Sequence, residues 1–182
     1  MSTKQKTLKE KLVFKGIGLH TGAEVELTIL PAPENHGYKF QRVDLEGQPI
    51  IEADCDRVVG TQRGTTIEQN GAKVYTTEHV LAALYGCKVD NALLQITGPE
   101  MPIMDGSSGP FVEEILRVGR QEQSALRKYI ELYENITFED PEKGVEFLAV
   151  PTVGREYRIT VMVDYNSPLL GTQHASMYQL SD

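Results

Sequence analysis

The chain has 182 residues, 40% of them hydrophobic and 24% charged, with a formal net charge of -8; that is enough for one globular core plus part of a second. The acidic balance argues against a nucleic-acid partner. No apolar run approaches the roughly 18 residues that cross a bilayer, and Met1-Ser2-Thr3-Lys4-Gln5-Lys6 lacks the apolar stretch of a secretory signal. Cys55 and Cys87 stand alone, outside any C-x-x-C pair, so a cytoplasmic protein with reduced thiols is expected.

Thr7 to Phe14 reads as a strand leading into the turn Gly16-Ile17-Gly18-Leu19-His20-Thr21-Gly22. The lysines Lys4, Lys6, Lys9, Lys11 and Lys15 read as its solvent side and ends, with a basic contact site as the alternative. Val25, Leu27 and Ile29 then alternate with Glu24, Glu26 and Thr28 until Pro31 and Pro33, the period of a half-buried strand. Gly37 to Val43 gives a third strand. Thr65–Glu68 and Ala72–Tyr75 flank Gln69-Asn70-Gly71, and Asn-Gly suits a tight hairpin turn. Thr76 or Thr77 is expected to cap a helix from Glu78 to Tyr85 that turns Val80, Leu81 and Leu84 inward and ends at Gly86. Asn91 to Thr97 is a more buried strand, and after the 98–109 loop Pro110 opens a second helix with Phe111, Ile115, Leu116 and Val118 along one stripe.

Around Gln121 to Arg127 the pattern turns polar, which places a domain boundary near 122–128. Tyr129–Thr137, Val145–Val150 and Tyr157–Val163 are strand-like beyond it, joined by turns at 140–144 and Val153-Gly154-Arg155. The expected class is α+β: residues 1–125 form a two-layer sandwich of a mainly antiparallel sheet on two helices, and residues 126–182 begin a second domain of similar type that is incomplete. Uncovered apolar strands there would favour self-association through open sheet edges.

The four histidines are His20, His36, His79 and His174. They form no H-E-x-x-H or H-x-H pattern, and catalytic zinc ordinarily takes three protein ligands. Glu78-His79 falls in the first turn of the expected helix, whose free N–H groups and partial positive charge favour an anion. The pair reads either as a metal-binding imidazole beside a proton-accepting carboxylate, or as a helix-end carboxylate beside a satisfied, half-buried ring. The GIGLHTG turn lacks the Lys-Ser/Thr of a P-loop and the spacing of a dinucleotide fingerprint, so a structural turn is the competing reading. Pro102 to Phe111 (PIMDGSSGPF) reads as a rigid cap or a ligand-shaped loop, and Asp105-Gly106-Ser107 supplies no histidine base for a nucleophilic serine.

Taken in order, GIGLHTG, Pro31-Ala32-Pro33, Thr61-Gln62-Arg63-Gly64-Thr65-Thr66, Thr77-Glu78-His79 with Leu81-Ala82-Ala83-Leu84, Asp90-Asn91 and PIMDGSSGPFV resemble the N-terminal part of the UDP-3-O-acyl-N-acetylglucosamine deacetylases, which catalyse the committed step of lipid A synthesis. Asp164 to Gln173 is similar to the start of that family's second-domain run toward its active site, with Ser167 where the family often carries histidine. The resemblance implies paired α+β domains with the active site between them, an acylated UDP-sugar substrate and a Zn2+ cofactor. By the same resemblance His79 is one zinc ligand, Glu78 is the general base for metal-bound water, and Thr61, Gly64 and Thr65 line the substrate. His20 and Asp105 give structural support. In the family the remaining ligands lie in an H-K-x-x-D motif that does not occur here before Asp182, and some members continue into a hydroxyacyl-carrier-protein dehydratase. The chain is therefore expected to be a truncated, inactive portion of the enzyme, with a non-catalytic binding or scaffold module as the alternative.

Overall fold

The computed structural model describes residues 3–152 and 157–178. It divides into two compact units, 1–127 and 128–182, and its secondary structure is α+β.

The first unit is built on a five-stranded sheet in the order β2 (Leu12–Ile17), β3 (Glu24–Pro31), β9 (Ala92–Ile96), β4 (Tyr38–Arg42), β5 (Ile50–Glu52). All neighbours are antiparallel except β4 and β9, which run parallel. Alternation in β3 does what period two requires: Val25, Leu27 and Ile29 are buried. They share one core with Phe40, Leu94 and Ile96 from the sheet and with Val80, Ala83, Leu84, Phe111 and Ile115 from two helices. Those helices are α1 (Glu78–Gly86) and α2 (Gly109–Val118). The Phe14 and Phe111 rings meet at 4.9 Å and 60°, in the tilted geometry aromatic quadrupoles favour.

Beside this sheet lies a three-stranded one of β6 (Val58–Gly60), β7 (Thr66–Gln69) and β8 (Ala72–Val74). Asn70 (φ 54°) and Gly71 (φ 78°) close the β7–β8 hairpin with the two positive-φ residues such a turn needs.

The expected strand from Thr7 to Phe14 is two strands. Lys9, Glu10 and Lys11 are all exposed, and three successive charges cannot alternate between a core and water, so the chain bends between buried Leu8 and Leu12. The first piece, β1 (Lys4–Leu8), pairs instead with β10 (Arg120–Leu126), the stretch whose polarity suggested a connection. Its polarity has other uses: Gln123 accepts from the Asn91 amide at 2.8 Å and donates to the Ala32 carbonyl at 2.9 Å. In α1 the inward residues are Val80, Ala83 and Leu84, while Leu81 is only half-buried; in α2 Leu116 faces out at 57% exposure.

The second unit contains β11 (Ile136–Asp140) paired with β12 (Val145–Ala149), and β13 (Ile159–Asp164) paired with β14 (Thr172–Met177), both antiparallel. The first strand starts at Ile136 because its ladder to β12 spans only Ile136 to Asp140. The expected turn at Val153-Gly154-Arg155 lies outside the described residues. Phe138 faces Phe147 across the first pair, and Phe138, Phe147, Val161, Met162 and Val163 are all exposed.

Candidate active site

Glu78 and His79 occupy the first turn of α1, both half-buried. The expected threonine cap takes a different form. Thr77 makes no side-chain cap bond; its hydroxyl and its amide both donate to the Thr65 carbonyl, each at 3.3 Å. Thr65 returns the contact, donating its N–H to Glu78 Oε2 at 2.9 Å. The loop between β6 and β7 is thus bound to the helix start by two successive residues in opposite senses. Among the described residues Glu78 Oε1 accepts no hydrogen bond, which leaves that oxygen for a proton from outside the protein.

Gly64 explains why this loop can lie so close. Its φ is +147°, and a Cβ there would sit 3.0 Å from Glu78 Oε1. Of the three residues expected to line substrate, Thr65 bonds to the Glu78 carboxylate, Gly64 sits where an added Cβ would crowd it, and Thr61 is exposed.

The His79 ring makes no hydrogen bond among the described residues, while its backbone carbonyl accepts from the Ser108 hydroxyl at 2.9 Å. Asp105 is within electrostatic reach of that ring. The Ser107 amide and hydroxyl, at 2.9 and 2.8 Å, hold the Asp105 carboxyl below its usual range, and His79 adds a smaller pull in the same direction. His20 reaches the other side of the loop, with Nε2 2.9 Å from the Arg63 carbonyl oxygen. A carbonyl only accepts, so Nε2 is the protonated nitrogen. His36 lies against its own neighbour's carbonyl, Gly37, and His174 is exposed on β14.

Residues 5–181 match the family described as UDP-3-O-acyl N-acetylglycosamine deacetylase, LpxC. The chain belongs to that family. It is 49% identical over 97% of its length to a bifunctional enzyme LpxC/FabZ of Chlorobaculum tepidum, of which it covers 37%. It is 44% identical over 95% of its length to the UDP-3-O-acyl-N-acetylglucosamine deacetylase of Geotalea uraniireducens, covering 55% of that protein. Against the deacetylase of Thermosynechococcus vestitus the figures are 43%, 97% and 60%. The chain thus spans between 37% and 60% of the length of these relatives.

One group that sequence reasoning passed over stands out for this family member. Glu100 is 1% exposed yet ionisable. Burial by itself would raise its carboxyl; donors from Thr21, His20 and Thr76 outweigh that and leave it below the usual carboxylate range. A signal was available: Glu100 is a lone acid set against Met101 and Pro102 just after a buried strand, where charges occur only when paired or hydrogen-bonded. A cluster of possible metal-ligating groups, Asp54, Cys55 and Asp56, is fully exposed and contains neither Glu78 nor His79. Among the described residues no helix is long and apolar enough to cross a membrane.

Proposed function

We propose that this chain supplies the general base and one metal ligand of a zinc-dependent deacetylase acting on UDP-3-O-acyl-N-acetylglucosamine, at the committed step of lipid A synthesis. One observation carries the reading: Glu78 and His79 stand side by side at the head of α1, with one carboxylate oxygen fixed by the Thr65 amide and the other accepting no hydrogen bond among the described residues. The family match over residues 5–181 supports it.

An imidazole is a zinc ligand of the usual kind, and the His79 ring has no competing hydrogen bond among the described residues, so it fits that part. When bound, zinc polarises the amide carbonyl and favours deprotonation of the attacking water. Glu78 accepts the proton that water gives up as its oxygen bonds to the acetyl carbon. The carbon–nitrogen bond then breaks, and the proton lost by water is the one the departing amine requires. Amide and water become acetic acid and an amine, which at neutral pH stand as acetate and an ammonium. Thr61, exposed at the loop, is the residue we assign to the substrate side; the Thr65 amide holds the base and Gly64 leaves room beside it. Zinc requires two further protein ligands for a site of this kind, so the 182-residue chain alone is assigned no appreciable turnover. Free thiols at Cys55 and Cys87 fit a cytoplasmic location.

The test is acetate release by the full-length polypeptide, with Glu78→Gln and His79→Ala beside it. Removing the base should lower kcat by about 10²-fold or more with zinc retained, and His79→Ala should lose zinc. A Glu78→Gln enzyme of undiminished kcat sinks the assignment. The exposed apolar strands of the second unit support self-association of the isolated chain; a clean monomer at high concentration in size-exclusion chromatography would count against it.

A further inference from the structure

The site loop is held from two sides, and both holds lead back to one buried group. Thr77 binds the Thr65 carbonyl, and Thr76, directly before it, donates its hydroxyl to Glu100 Oε1 at 2.9 Å. On the other side the His20 ring reaches the Arg63 carbonyl, and the backbone beneath that ring is bound by the same carboxylate. His20 N–H lies 3.1 Å from both Glu100 oxygens, and Thr21 gives its N–H and its hydroxyl to Oε2, each at 2.8 Å. Glu100 is itself fixed in register: Tyr75 donates its N–H to Pro99, and Met101 donates back to Tyr75. Gly64 and Glu78 lie between the two holds.

Two further features show that the arrangement is enforced. Thr76 has φ +58°, a region that a β-branched residue occupies only when its surroundings compel it; the bond to Glu100 is the compulsion in view. Gly18 sits so near that a Cβ there would fall 2.5 Å from Glu100 Oε2 and 2.4 Å from Thr21 Oγ1, so no larger residue fits beside the carboxylate. A buried anion with this many donors is costly to assemble unless satisfied, and once satisfied it specifies one arrangement.

We infer that Glu100 is a positioning residue for the base: it clamps the turn at His20-Thr21 and the backbone at Thr76 so that the 63–65 loop presents the Thr65 amide to Glu78. This rests on the proposed role of Glu78.

The experiment uses the full-length polypeptide carrying Glu100→Ala, Glu100→Gln and Gly18→Ala, each alone and the first also with Glu78→Gln. Zinc content, thermal melting, kcat and KM are measured. Glu100→Ala should lower kcat about 10- to 100-fold, the scale of a base displaced by about an ångström, with KM within about threefold and zinc content unchanged. Glu100→Gln, which keeps one acceptor oxygen, should fall between it and the wild type. Gly18→Ala displaces the same carboxylate without touching its charge and should also lower kcat, which keeps the inference testable if Glu100→Ala does not fold.

The double variant decides between positioning and simple destabilisation. If Glu100 acts through Glu78, the Glu78→Gln, Glu100→Ala enzyme should be no slower than Glu78→Gln alone. Losses that multiply, a kcat within twofold of wild type in a folded Glu100→Ala variant, or loss of zinc in step with kcat would each overturn the inference. If instead Glu78→Gln is fully active, the reading of the base fails first, and that outcome is distinct from an inert Glu100.

Discussion

Replacing Gly64 by alanine puts a single methyl group against the proposed base. At φ +147° an alanine is strained by about 1–3 kcal/mol, and its Cβ would lie 3.0 Å from Glu78 Oε1, inside normal contact. The loop has two ways out. If it keeps its place, the strain appears as lost stability, and about 2 kcal/mol in a unit of this size lowers Tm by about 8 °C. If it lifts away, the strain is relieved but the bond from the Thr65 amide to the Glu78 carboxylate is lost. A hydrogen bond to a charged group is worth about 1.5–3 kcal/mol, and kcat should then fall about tenfold or more. The assay is differential scanning calorimetry together with steady-state acetate release by the full-length polypeptide. Gly71→Ala is the control, because φ there is +78° with nothing within 4 Å of the added Cβ; it should lower Tm and leave kcat alone. Gly64→Ala with both Tm and kcat at wild-type values would refute the claim that this loop is held against the base.

Asn91→Ala should destabilise the first unit without touching the site. Its amide donates to Gln5 and Gln123 and its oxygen accepts the Gly37 N–H at 2.8 Å; Gln5 Oε1 keeps the Asn35 amide, while the half-buried Gln123 Oε1 and the Gly37 N–H each lose their bond to the buried Asn91 side chain, at a cost of about 1–3 kcal/mol. Calorimetry should show Tm lowered by about 10 °C, and a change below about 2 °C would mean that water replaces the side chain. The two thiols should separate in labelling with a disulfide reagent: exposed Cys55 reacts in the native protein, and buried Cys87 reacts only after unfolding. Asp54 and Asp56 raise the Cys55 thiol above its ordinary 9.0, so its rate at pH 8 should be below that of free cysteine and climb with pH past 9.0. Equal native rates for the two would contradict the burial.

What the sequence made legible was whatever depends on periodicity or on a turn's local chemistry. The alternation of Val25, Leu27 and Ile29, the Asn70-Gly71 hairpin and the helix after Thr77 all follow from side chains within a few residues of one another. The division at Lys9–Lys11 and the pairing of β1 with β10 were not legible. Gln121, Glu122 and Gln123 look like a linker until the partner strand is known to lie more than a hundred residues earlier in the chain. The site shows the same split. Glu78 and His79 are marked by adjacency and by a helix start, but the contact that fixes Glu78 is a backbone amide from Thr65, and backbone donors carry no residue-type signal. Most of what holds Glu100 is equally silent: His20 and Thr21 both bind it through their main-chain N–H, Thr21 adding its hydroxyl.

Asn91 and Glu100 also show how two buried polar groups of similar exposure, each at 1%, come to do different work. Asn91 is neutral, and its partners are Gln5, Gln123 and the Gly37 amide, on the strands and loops that join β1, β4 and β10. Losing it removes a framework bond and should be read out in stability alone. Glu100 is charged, and its partners flank the loop that meets Glu78. An anion is more demanding than an amide, because an incompletely satisfied buried carboxylate costs several kcal/mol and any escape is by moving the donors or taking up a proton. Its donors cannot move far without carrying Thr76 and His20 with them; His20 reaches the Arg63 carbonyl, and Thr77, next to Thr76, reaches the Thr65 carbonyl. A carboxylate at that position therefore converts its own need for donors into a fixed place for Glu78, which an amide or a hydrophobic residue of equal volume would not do.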